Sequence, residues 1–168
     1  GAGQDSYENV LIVAHYDNTE IKINDESTGT TINKGDYYII EGNKFSDGNM
    51  YVSSSEDVFA YQGIGAGNEA NQGMFFVPPL SCESRGDVNN IAFIDEIGDN
   101  TLTGGVTIVT KGTASVLINN ADIASQPVEI TVNGPTTVSG KNEYVTYNVT
   151  GLSGNVTVSS SDELYSAY

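Results

Sequence analysis

The same phrase is written twice in this chain: "GNMYVSSSEDVF" at residues 48–59 and "GNVTVSSSDELY" at residues 154–165. Gly48, Asn49, Val52, Ser53, Ser54 and Ser55 coincide with Gly154, Asn155, Val158, Ser159, Ser160 and Ser161. The pairs that follow keep their chemistry: Glu56 with Asp162, Asp57 with Glu163, Val58 with Leu164 and Phe59 with Tyr165. Upstream, "YYIIEGNKFSDG" lies over "YVTYNVTGLSG", with one residue fewer in the second copy. Further back, "LIVAHYDNTEIKIN" lies over "TIVTKGTASVLIN", so that Ile12 and Val13 meet Ile108 and Val109, and Ile21 meets Val116. Three segments matching in one order, at nearly one offset, exceed what shared Gly and Ser content produces. A period of roughly 100 residues is too long for a solenoid or propeller unit and implies a duplicated domain half. The halves are placed at residues 1–80, which end in a Pro-Pro segment, and at residues 81–168.

Helical periodicity is nearly absent and strand signals are dense. "NVLIVAHY" (9–16) is largely apolar, and "EIKIN" (20–24) alternates, with Ile21 and Ile23 on one face and Glu20, Lys22 and Asn24 on the other. "DYYII" (36–40), "NMYVSS", "DVFAYQ", "MFFVPPL" (74–80), "NIAFID" (90–95), "GVTIVT" (105–110), "ASVLIN" (114–119), "PVEITV" (127–132), "EYVTYNV" (143–149) and "NVTVSS" (155–160) continue the series. Gly, Asn, Asp and Ser clusters between them supply turn chemistry. Each copy reads as strand, turn, strand, long turn, strand, hairpin, strand. A meander with one wet face buries the other against a second sheet or its twin. The expected fold is all-β: two tandem, related, antiparallel β-sandwich-like halves from an internal duplication. Copy one runs on past Gln62 while copy two stops at Tyr168, so a longer natural protein is expected.

Composition narrows the function. The 22 Asp and Glu against 6 Lys and Arg give a formal charge of −16. Such a surface repels phosphate backbones and anionic bilayers, which argues against nucleic-acid partners and membrane insertion. No apolar run approaches the roughly 20 residues a spanning helix needs. The acidity fits solubility in a salty medium, or carboxylates that hold a divalent cation. The single cysteine, Cys82, permits no internal disulfide.

The strings "VLIVAHYDNTEIKIN", "INKGDYYII" and "GNMYVSSSEDVFAYQG" resemble the repeated unit of the IgGFc-binding protein N-terminal domain family, and "GMFFVPPLS" resembles the Pro-Pro segment that links successive units. The resemblance covers nearly the whole chain, and its motifs are strand and turn motifs without a catalytic signature. It implies a bacterial part of a large secreted or surface-attached protein, of the kind carried by gliding bacteria. It does not imply immunoglobulin binding. Copy two departs from the pattern, with "KGTA" (111–114) where copy one has "HYDNTE" (15–20).

Candidate sites are sparse. Asp17, Asn18 and Glu20, with Asn24, Asp25 and Glu26 on the next turn, offer clustered oxygens for calcium, as do Asp95, Glu96, Asp99 and Asn100 after Asp87, Asn89 and Asn90. The plainer reading of each is a hairpin corner in which Asx side chains bond their own backbone. "RGD" (85–87) holds the only arginine and is a weak three-residue adhesion pattern. His15 is the only histidine, too few for a His-based metal or nucleophile site with Cys82. Tyr37, Tyr38, Tyr51, Tyr61, Tyr144 and Tyr147 could form a sugar-stacking stripe or pack into sheets. "NVT" at Asn148 and Asn155 fits the glycosylation sequon. The expectation is a non-enzymatic, extracellular or cell-surface module, structural or adhesive, joined to neighbouring domains. Its partner would be a surface glycan or a protein, and calcium is the one cofactor suggested. The alternative is a carbohydrate-binding module, calcium-assisted.

Overall fold

Alternation builds the first unit. The structure, a computed structural model, describes residues 8–63, 73–80 and 86–168. In β1 (Asn9–Ala14) Val10, Ile12 and Ala14 are buried and the residues between them are not. In β2 (Thr19–Ile23) Thr19, Ile21 and Ile23 are buried. Burial at every second residue is what a sheet with one covered face requires. β3 (Glu26–Ile32), β4 (Tyr37–Glu41), β5 (Val52–Ser54), β6 (Val58–Gly63) and β7 (Met74–Phe76) follow. They form two antiparallel sheets, ordered β4-β1-β6-β7 and β3-β2-β5. Val10, Ile12, Ala14 and Ile40 from the first, with Ile21, Ile23 and Ile32 from the second, make one buried cluster. Two sheets sharing a core is sandwich packing, and each fully buried isoleucine contributes about 1.5–3 kcal/mol.

The second unit comprises β8 (Asp87–Ile91), β9 (Glu96–Ile97), β10 (Asn100–Thr101), β11 (Gly104–Lys111), β12 (Val116–Ile118), β13 (Ala121–Asp122), β14 (Thr131–Thr137), β15 (Tyr144–Leu152), β16 (Val156–Ser160) and β17 (Leu164–Ala167). Its sheets run β14-β15-β11-β17 and β13-β12-β16-β8, with β9 and β10 a separate hairpin. Val106, Ile108, Val149, Leu152 and Leu164 meet Ile91, Val116, Ile118, Val156 and Val158 in its core, with Ile123 among them. By compactness, the units comprise Gly1–Pro79 with Val138–Lys141, and Leu80–Thr137 with Asn142–Tyr168.

The pairing order is shared. β4-β1-β6 in the first unit runs as β15-β11-β17 in the second, and β3-β2-β5 as β13-β12-β16. Register agrees with the sequence alignment at several points. Val13 faces Phe59 as Val109 faces Tyr165, and Ile21 faces Ser54 as Val116 faces Ser160. At β4 the alignment is corrected. It set Tyr37 over Tyr144, but Ile12 faces Tyr38 and Ile108 faces Tyr147, so the equivalence slides by two residues.

The repeated phrase acts as a set of clasps. Asn24 N–H donates to the Tyr51 carbonyl at 2.7 Å and Tyr51 N–H donates to Asn24 Oδ1 at 3.0 Å. Asn119 and Thr157 exchange the same two bonds at 3.0 and 2.8 Å. Glu20 N–H donates to Ser55 Oγ and Ser55 N–H returns to the Glu20 carbonyl; Ser115 and Ser161 do the same. Gly48 and Gly154 both take left-handed backbone, with φ of 80° and 64°. An added Cβ would meet nothing within 4 Å at either, so conformation rather than space calls for glycine.

Several strand boundaries differ from expectation. β3 lies where a long turn was read; Gly29, at φ 69°, and a register shift against β2 break its alternation. "PVEITV" becomes strand only from Thr131, and "NIAFID" only through Ile91, after which Phe93 turns at φ 48°. The acidic "DEIGDN" loop is itself a hairpin, with Ile97 facing Asn100 across Gly98 and Asp99. Among the described residues the helical segments are the 3-10 turns Gly42–Lys44 and Ile123–Ser125. None of the described helices is long and apolar enough to cross a membrane.

Candidate binding face

The outward side of sheet β4-β1-β6-β7 is apolar. β1 turns Leu11 and Val13 outward, opposite Ile12 and Ala14. Register places Tyr37, Val13 and Phe59 in one row across β4, β1 and β6. A second row runs Ile39, Leu11, Tyr61 and Phe76 across all four strands. Tyr37 is 64 % exposed, Ile39 51 %, Phe59 47 % and Phe76 50 %, so nothing among the described residues covers them. Tyr61 and Phe76 meet edge to face with centroids 5.8 Å apart. His15, exposed at the end of β1, stands edge-on to Tyr16 at 4.6 Å and Phe59 at 6.1 Å. Contiguous exposed apolar rows of this kind mark interaction surfaces.

The matching face of the second unit is polar. Its rows run Thr131, Thr150 and Gly105; Asn133, Asn148, Thr107 and Ala167; and Thr136, Thr146, Val109 and Tyr165. At its edge Tyr144 is buried and donates its hydroxyl to Glu163 Oε2 at 2.5 Å. Lys111 Nζ lies 3.9 Å from the Tyr144 ring centre and 3.8 Å from Glu163 Oε1. Burial, then the bond to Glu163, raises the Tyr144 pKa above its ordinary value of 10.0. Contact with Tyr144 raises Lys111 above 10.5, against some desolvation and with help from Glu163 and Glu143.

The sequence-predicted cation ligands are placed in turns. Asp17 Oδ1 accepts the Lys34 N–H at 3.0 Å. Asn18, at φ 57°, donates its N–H to Asn33 Oδ1, and Glu20 is exposed on β2. Asp95 Oδ1 accepts the Gly154 N–H at 2.7 Å, and its carbonyl accepts Leu102 N–H. Glu96 and Asp99 are exposed on the β9-β10 hairpin. Asp17 and Asp95 thus each spend a carboxylate oxygen on a backbone donor. Among the described residues no group of three or more His, Cys, Asp or Glu is arranged to hold a metal ion.

The six tyrosines do not make one stripe. Tyr38 and Tyr147 pack against the two cores, Tyr144 is buried, Tyr51 is half-buried where Asn24 clasps its backbone, and Tyr37 and Tyr61 face outward with the apolar rows. Asp87 of the RGD tripeptide opens β8 and faces Ser159, while Arg85 and Cys82 lie outside the described residues. Asn148 and Asn155 are exposed; Asn155 Oδ1 accepts the Phe93 N–H at 3.3 Å. Sequence reasoning missed Ile39, Phe59 and Phe76 as surface residues. The available signal was consecutive apolar residues in "DYYII" and "MFFVPPL", which lack the alternation of a strand with a wet face.

The model of the family described as IgGFc binding protein matches residues 1–168, the full sequence. The chain belongs to the IgGFc-binding protein family. No curated protein and no solved structure matches it. Among the described residues of this family member, the apolar rows lie on the first unit.

Proposed function

We propose that this IgGFc-binding family chain is a non-catalytic β module of a secreted or surface-attached bacterial protein, which holds a polypeptide partner against the outer face of its first sheet. The observation that carries the reading is the pair of exposed rows through Val13 and Leu11. The −16 charge supports a partner that is neither nucleic acid nor anionic lipid. A structural role is supported by Asp17 and Asp95, whose carboxylates each accept a bond from a backbone N–H. The same reading takes the two units as copies of one ancestral unit. Shared strand order and the duplicated clasps of Asn24 and Asn119 support it.

A peptide array and a glycan array test the reading. Peptide binding that falls about tenfold or more in an Ile39→Ser, Phe59→Ser variant is expected. Turnover of any tested substrate, or silence on the peptide array, would overturn it. A second reading, carbohydrate binding, is favoured by the Thr and Asn rows of the second unit. Glycan binding lost on replacing Asn148 and Thr107 would support that alternative.

A further inference from the structure

The two units differ in the strands that flank their shared order, and one such difference lies at the edge of β4 and β15. In the second, β14 lies beside β15: Val132 faces Val149, Asn133 faces Asn148 and Thr136 faces Thr146. Val132 packs onto the buried core there. In the first, β4 is the equivalent of β15, because Val10 faces Ile40 as Val106 faces Val149. Among the described residues, β4 is the last strand of its sheet. Chain length explains the difference: Ile32 ends β3 and Tyr37 begins β4, leaving no room for another strand, whereas Asp122 ends β13 and Tyr144 begins β15.

The free edge is chemically specific. Ala14 N–H bonds the Asp36 carbonyl. Ladder alternation then turns Tyr38 and Ile40 toward β1 and leaves the N–H and C=O of Tyr37 and Ile39, and the N–H of Glu41, pointing away from it, the Glu41 carbonyl capping the 3-10 turn Gly42–Lys44. Beside this edge lies a cavity of about 210 Å³ lined by Ile23, Tyr38, Ile39, Ile40, Glu41, Asn43 and Lys44. It opens beside Ile40, the counterpart of the Val149 that Val132 covers. Edges of this kind are templates for an added strand.

We infer that the β4 edge accepts an extended segment of a partner polypeptide, antiparallel to β4, at the position β14 occupies in the second unit. The inference rests on the polypeptide-binding reading and names its geometry. The partner places one apolar side chain opposite Ile40, into the cavity. Its residues opposite Tyr37 and Ile39 prolong the two outer rows. The segment is neutral or basic: Asp36 and Glu41 bracket the edge, Lys34 and Lys44 offset them in part, and the chain as a whole carries −16, which also disfavours a second copy of this chain as occupant.

The probe is a capped synthetic peptide, Lys-Thr-Val-Thr-Val-Thr-Val-Lys, with a twin carrying Glu for Lys and a twin with alternate backbone nitrogens methylated. Hydrogen exchange and calorimetry are read on the intact chain. Expected are fast exchange at Tyr37, Ile39 and Glu41 in the free chain, slowing about tenfold or more with the parent peptide. Binding should weaken about tenfold or more for the acidic twin and for the methylated twin. Ile39→Pro, which removes an N–H facing the open edge, should abolish binding while the chain stays folded. If that variant does not fold, the methylated twin tests the same hydrogen bonds on the unaltered protein. Slow exchange in the free chain would show the edge already covered and overturn the proposal, as would a concentration-dependent dimer that protects these amides. No binding of the parent peptide also overturns it. Equal binding of parent and methylated peptides, lost in Phe59→Ser, removes strand addition and keeps the binding-face reading.

Discussion

Asn24 and Asn119 do the same work. Each takes positive φ, 52° and 50°, at the first position of a two-residue hairpin loop, followed by Asp25 at 67° and Asn120 at 63°. Two positive φ values match the right-handed twist of the flanking strands, and Asn tolerates them. Each side chain then clasps the strand beyond. Asn24→Ala and Asn119→Ala should each cost about 1–2 kcal/mol in urea unfolding, from one lost bond plus left-handed strain. Tyr144 and Lys111 give the pH dependence. Both folded pKa values lie above the unfolded ones, so their stabilisation is complete below about pH 10 and is lost as pH rises through the folded values. Melting temperature should therefore fall on the alkaline side of pH 10. Tyr144→Phe should flatten that limb without changing the acid one.

At the level of strands and sheets, β1 and β11 are the spines of the two units. Each pairs on both sides and alternates buried with outward residues. Ile12 and Ile108 are wholly buried, one in each core. Ile12→Ala and Ile108→Ala should each cost about 2–5 kcal/mol, and exchange protection should be lost chiefly in the unit that carries the change. These strands were legible because alternation survives in them. β3 was not, because Gly29 at a register shift interrupts the period. β7 was read as an apolar strand but not as an exposed one. Apolar wording does not say which side of a sheet lacks a neighbour, and Met74, Phe75 and Phe76 are all exposed.

Across the full chain, charge and turns frame the remaining predictions. With −16 spread over 168 residues, raising salt should raise the melting temperature by screening self-repulsion. Asp95 clasps Gly154, so Asp95→Ala should destabilise the chain by about 1 kcal/mol or more, by the same amount with calcium or with chelator. A calcium-dependent loss would instead return Asp95, Glu96 and Asp99 to a cation site. Residue order alone was enough for the all-β class, the main core strands and the matching turn residues of the two segments. Those follow from local chemistry, namely alternation, β-branching and the Asn and Gly that left-handed turns require. Folding in three dimensions made one outer face apolar and the other polar and, among the described residues, left β4 as an end strand where β15 is flanked by β14. Those features depend on which strands become neighbours across long stretches of chain, and no local pattern encodes that pairing.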